Sequence, residues 1–166
     1  MHFTNQSMEP RLETLPEKNF IGQYVDMSLS DNQTYELWSG FMPRRGEIEQ
    51  VIGTEFYSVE IYDKDYFERF DPDAVFQKWA LVEVSGMPPV PEEMEWLTIK
   101  EGQYAIFIHK GLPREVALTY QFIFEKWLPT SGYEIDTRPH LAIMGDKYSP
   151  NDPNSEEEIW IPIRKI

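Results

Sequence analysis

Met87-Pro88-Pro89-Val90-Pro91 places three prolines in five consecutive positions. Proline donates no backbone N–H and is confined to sheet edges, strand starts and bulges, so no interior strand can run through this segment. Any sheet the chain builds is therefore divided here, into a half before the prolines and a half after them. No Gly/Ser linker or low-complexity tract occurs elsewhere, and the other soft stretch, Asp146 to Ser155, lies near the end. A chain of 166 residues fits one domain, or two small halves sharing one core.

Both halves show the same order of signals. Arg11 to Ser28 is extended in type, and Ser30 or Asp31 can cap a helix running from Thr34 toward Ile48. Tyr35, Trp38, Phe41 and Met42 recur at helical spacing, although Gly40 and Pro43 interrupt the second half of that helix. Phe56 to Tyr62 and Trp79 to Ser85 alternate as strands do. After the prolines, Gln103 to His109 is the strongest strand pattern, and Gly111 ends it. A helix follows from Pro113, with Val116, Tyr120, Ile123 and Trp127 on one stripe, and Pro129 and Gly132 are expected to stop it. Two more strands are expected near His140 to Met144 and Glu157 to Ile163. The fold class is thus α+β: duplicated β-α-β-β repeats, about 11–85 and 94–163, within one domain over 1–166. The repeats form one antiparallel sheet with two helices on one face and a ligand cleft between them.

Composition narrows the function classes. Hydrophobic residues make up 41% and aromatics 14%, enough for a real core. No stretch approaches the ~20 apolar residues of a membrane helix. Residues 1–10 have neither a basic region nor an apolar run, so no signal peptide is expected, and they are too few for a helix-turn-helix. With no cysteine, disulfides, thiolate metal sites and cysteine nucleophiles are excluded, and a cytoplasmic protein is expected. The net charge of −14 repels phosphate backbones, and basic clusters such as Arg44-Arg45 are no longer than two residues, so no direct nucleic-acid contact is expected.

The closing strand carries the chemistry. Strand alternation puts Ile159, Ile161 and Ile163 on one face, assigned to the core beneath the helices. Glu158, Trp160 and Pro162 fall on the other. An indole beside a carboxylate suits a cation, the ring face contributing about 0.5–2 kcal/mol. The same residues also fit an indole covering a sheet edge beside a solvated carboxylate, and taken alone they favour that plainer arrangement. Trp79, Leu81 and Glu83 share a face of their own strand in the first half. Trp38 and Tyr120 come from helices that could close over a cleft, while Tyr57, Tyr104 and Met144 come from strands.

With these residues in view, the chain resembles the GyrI-like, or AraC-type, effector-binding domain family. The resemblance rests on Trp127-Leu128-Pro129-Thr130-Ser131-Gly132-Tyr133-Glu134, on Arg138-Pro139-His140-Leu141, and on the run from Asp152 to Ile163. Glu36-Leu37-Trp38, Phe41 to Arg45, Lys78-Trp79-Ala80 and Tyr104 to Phe107 also fit. It implies two β-α-β-β repeats sharing an antiparallel sheet, with small, often cationic or amphipathic, organic molecules bound in the cleft. It also implies ligand-facing roles for Glu158, Trp160 and Tyr120. A glutamate usual after the Pro-His pair is replaced by Ala142 here, which weakens cation capture and hydrolysis, unless Glu158, Glu83 or Glu60 supplies the charge.

His2, His109 and His140 lack zinc spacing, and the two later ones suit turn or surface positions. Asp146 to Glu158 lacks the glycine and ligand spacing of a calcium loop and suits a solvated hairpin. No nucleophile elbow or phosphate loop occurs. No catalytic residue, metal or cofactor is expected. The sequence thus points to a stand-alone binding module that senses or sequesters a small organic molecule, cationic or amphipathic aromatic in type, in an aromatic cleft, with a link to transcription regulation. Its ligand-binding residues are Glu158, Trp160, Tyr120, Trp38, Tyr57, Tyr104 and Met144. Two alternatives are a gyrase-inhibitor-like protein that acts through a protein partner, and a hydrolase of small reactive electrophiles.

Overall fold

Leu15 and Lys18 are three residues apart, yet the strands they end and begin stand six strand positions apart in one sheet. The computed structural model describes residues 8–166, so the opening segment that lacked a signal-peptide pattern lies mostly outside it. Its strands are β1 (Arg11–Leu15), β2 (Lys18–Met27), β3 (Phe56–Ile61), β4 (Phe76–Val84), β5 (Glu95–Ile99), β6 (Gly102–Lys110), β7 (Tyr133–Ile135), β8 (His140–Met144) and β9 (Glu156–Lys165). They pair antiparallel in the order β1-β6-β9-β8-β3-β4-β2-β5, with β7 alongside β9. β3 and β8 form the seam between the halves.

β1 opens the first half but pairs with β6 of the second, and β5 opens the second half but pairs with β2 of the first. In a flat sheet β1 and β2 would stand about 29 Å apart, at roughly 4.8 Å per strand. The connection through Pro16 and Glu17 spans at most about 11 Å. The turn from Ile99 to Gly102 imposes the same limit on β5 and β6. The sheet must therefore curl until its two ends meet. Its inner face carries one core drawn from both halves: Leu15, Phe20, Tyr57, Val59, Trp79, Leu81, Ile99, Tyr104, Ile106, Leu141 and Trp160.

The helices lie on the outer face over two separate cores. α1 (Thr34–Phe41) sets Leu37 and Phe41 on Ile21, Ala80, Val82 and Val84. It ends in a 3-10 stretch, Met42–Glu47, as Gly40 and Pro43 require. Its first turn is served by Asn32 Oδ1, which accepts from the Thr34 N–H at 2.9 Å, rather than by Ser30 or Asp31. α2 (Val116–Phe122) and the segment after it cover Ala105, Phe107, Ile159, Ile161 and Ile163.

Pro129 does not stop that helix. Ile123–Trp127 widens into a π turn, which moves the carbonyls that the proline ring would strike, and α3 (Leu128–Ser131) continues through Pro129. The Thr130 and Ser131 hydroxyls donate to the freed carbonyls of Trp127 and Leu128. Gly132, at φ 83°, makes the stop. Among the described residues no helix is long and apolar enough to cross a membrane.

Candidate functional site

Register fixes which side chains share the inner face, because partners across a ladder point the same way. One row runs Tyr24, Trp79, Val59, Leu141, Trp160, Ile106, Arg11. The next runs Leu81, Tyr57, Ile143, Glu158, Ile108. Glu83 lies one step further along β4, beside Tyr57. Four residues singled out from the sequence, Glu158, Trp160, Tyr57 and Tyr104, therefore stand on this face, together with Trp79 and Glu83.

The rings pack on one another. Tyr24 stacks on Trp79 at 4.6 Å, Phe20 meets Tyr57 edge-on at 4.9 Å, and Tyr104 meets Trp160 at 5.8 Å. Trp160 is 8% exposed, and its indole N–H donates to Glu158 Oε1 at 3.0 Å. The Tyr57 hydroxyl donates to Glu83 Oε1 at 3.4 Å. Burial pushes the Tyr57 hydroxyl pKa well up, and the nearby charges of Glu83, Glu55 and Glu158 push it further, so it stays protonated as a donor. Tyr104 is fully buried with its hydroxyl donating to the Pro139 carbonyl at 2.9 Å, and the Arg138 guanidinium lies 4.7 Å over its ring. Burial raises its pKa to about 12.

Both carboxylates carry a cation from the first two strands. Arg11 Nη2 reaches Glu158 Oε2 at 3.2 Å, and Lys18 Nζ reaches Glu83 Oε2 at 3.1 Å. Neither cation stands out in the sequence. Arg11, Glu13 and Leu15 do alternate onto one face of β1, but which strand that face meets depends on the exchange of edges.

Tyr120, Trp38 and Met144 stand on the opposite, outer face, and so cannot share a pocket with Glu158 through the sheet. Trp38 packs edge-on to Phe41 and Phe56. Met144 pairs with Phe56 beside the seam. Tyr120 stacks on Phe124. Burial raises the Tyr120 pKa strongly, and the charges of Glu60 and Glu157 add to this.

Those two carboxylates form a second charged cluster under the helices. Glu60, 7% exposed, accepts from Lys78 at 3.0 Å and from the Ser58 hydroxyl at 3.3 Å. Glu157 is raised to about 7 by burial and by Glu60, against the opposing pull of Lys78. Ala142 also faces outward, opposite Ser58, and the inner positions of β8 are Leu141 and Ile143. No β8 carboxylate reaches the inner face, and the acids there that hold its rings are Glu158 and Glu83.

His109 and His140 are buried, not at the surface. His109 is held by the Thr119 hydroxyl and the Leu112 carbonyl, and burial lowers the pKa of His140 to about 3. Among the described residues no group of three or more His, Asp or Glu is placed to hold a metal ion. Two surface hollows, of about 310 and 220 Å³, are lined by none of Glu158, Trp160, Tyr57 and Glu83. One is beside Gln23, Glu36 and Glu93, the other beside Phe67, Arg138 and Arg164.

Comparison with known proteins agrees with this architecture. A family model described as the GyrI-like small molecule binding domain matches residues 8–164. The transcriptional regulator BrlR of Pseudomonas aeruginosa is 28% identical over 163 residues, covering 98% of this chain and 58% of that protein. The chain thus spans little more than half the length of that regulator. Among solved structures, SAV2435 bound to tetraphenylphosphonium superposes with a TM-score of 0.67 at 13% identity, covering 95% of this chain and 94% of that one. The EcmrR C-terminal domain superposes with a TM-score of 0.70 at 15% identity, covering 96% and 99%. At these identities the two structures speak for the fold alone.

Proposed function

The chain belongs to the GyrI-like small molecule binding domain family, and from that premise we propose that it senses or sequesters an amphipathic aromatic molecule, organic cations included, on the inner face of the curled sheet. One observation carries the reading: Glu158, Trp160, Tyr57 and Glu83 converge on that face, two carboxylates at its rim above a floor of rings. An aromatic ligand gains area against Trp160 and Tyr57. A delocalised positive charge adds the attraction of the ring faces and of Glu158. A compact, strongly hydrated cation gains less, because only the rim is charged. The similarity to BrlR supports a link to transcription regulation in which this domain supplies the ligand response.

Trp160 and Tyr57 are both buried in this state, so binding requires the rim to part. Titration with tetraphenylphosphonium, the ligand of the similar SAV2435 structure, tests the reading. Saturable one-to-one binding is expected. Trp160→Phe, which keeps a ring in the core, should weaken it by about threefold through loss of the electron-richer indole face. No saturable binding to the native protein contradicts the proposal.

A further inference from the structure

Arg11 touches two carboxylates at once. Its Nη2 reaches Glu158 Oε2 at 3.2 Å, and its Nε donates to Glu13 Oε2. Glu13 stands two residues along the same strand on the same face, paired with Tyr104 across the ladder, while Arg11 is paired with Ile106. Among the described residues β1 is an edge strand of five residues, paired on one side, with β6. Lys18 differs: its carboxylate contact is Glu83 alone, and its side chain is 26% exposed against 46% for Arg11.

Resting on the reading that the inner face binds the ligand, we propose that Arg11 is a built-in counter-ion that stands in for the ligand's positive charge on Glu158. A cation arriving at Glu158 displaces Arg11, which keeps a carboxylate partner by turning wholly to Glu13.

The handover removes most of the cost of uncapping Glu158. Breaking an ion pair normally strands both charges, and stranding is the expensive part when either is partly buried. Here neither charge is stranded: the ligand takes Glu158, and Glu13 retains Arg11. Glu83 has no such exchange available, because Lys18 would be left without a carboxylate. Of the two acids that hold the rings, Glu158 is therefore exchangeable and Glu83 is fixed, its other oxygen accepting from the Tyr57 hydroxyl. The arrangement also sets selectivity. Neutral aromatic ligands leave Arg11 in place, and cationic ones must compete with it, so Arg11 discriminates against weak cations that bring little ring area.

The test is a double-mutant cycle on affinity for tetraphenylphosphonium at low ionic strength, using the full chain and checking the fold of each variant by thermal melting. Arg11→Gln should tighten binding by about threefold, the scale of an exposed ion pair. Glu13→Gln should weaken binding by about twofold, because Arg11 then holds Glu158 more firmly. In the Arg11→Gln background, Glu13→Gln should have no effect. Equal or weaker binding by Arg11→Gln, while the native protein binds, overturns the counter-ion role. If Glu13→Gln weakens binding equally with and without Arg11, the carboxylate acts only through space and the handover is overturned. No binding by any variant, Arg11→Gln included, overturns the underlying ligand reading and the inference with it.

Discussion

Glu157 and Glu158 are neighbours in sequence and belong to opposite faces of one strand, and their surroundings differ in kind. Glu158 sits at an open rim, shares its charge with Arg11 and takes the Trp160 N–H. Glu157 lies under the helices beside Glu60, and a single lysine, Lys78, serves both acids. The rim can exchange its counter-ion with a ligand at small cost. The seam cannot, because water does not replace what Lys78 supplies. Matched charge near solvent is therefore suited to recognition, and mismatched charge under a helix acts on stability.

Four substitutions would break or sharpen this contrast. The largest effect is expected for Lys78→Met, which leaves Glu60 and Glu157 together without a cation. A loss of about 3 kcal/mol in urea unfolding at pH 8 is expected, and a loss below that of a surface substitution would contradict the shared-lysine account.

Next is Glu157→Gln. The folded pKa is about 7 against an ordinary 4.5, so the folded state holds the proton more tightly than the unfolded chain. Stability then falls as pH rises from about 4.5 to about 7, and below 4.5 the penalty is absent. The full shift corresponds to about 3 kcal/mol, reduced to roughly 1–2 for a half-buried group. Glu157→Gln should gain that much at pH 8 and flatten the stability profile across this window, read by melting at a series of pH values. A variant whose pH profile matches the native one would refute the shift.

Smaller again is Glu83→Gln, which removes the partner of half-buried Lys18 and loosens the Tyr57 hydroxyl. A cost of about 1 kcal/mol is expected. Smallest is Arg11→Gln, expected within about 0.5 kcal/mol of native stability, since both its partners are open to solvent. A large loss there would mean that Arg11 holds β1 in place.

The closing strand was legible because its alternation is strict. Ile159, Ile161 and Ile163 do lie beneath the helices, and Glu158 and Trp160 do point the other way. The same rule grouped Trp79 with Glu83 correctly. Alternation separates two faces but does not tell which one curls inward. That is settled by β1 and β5 crossing to opposite halves, a long-range pairing that leaves no local period. For that reason Tyr120, Trp38 and Met144, though grouped with Glu158 from sequence, stand on the far side of the sheet. The Lys78 cluster was hidden for a related reason, since its members meet only through the registers of β3 with β4 and of β8 with β9. Pro129 misled because a π turn, which proline rules do not anticipate, precedes it.

The most direct measurement compares tetraphenylphosphonium affinity in Glu158→Gln and Glu157→Gln, two adjacent substitutions that make the same chemical change on opposite faces. Recognition on the inner face predicts a loss of about tenfold for Glu158→Gln, the scale of a charge-assisted contact at a partly desolvated rim, and little change for Glu157→Gln. The reverse pattern, with Glu157→Gln losing affinity and Glu158→Gln retaining it, would place the ligand between the helices and contradict the account.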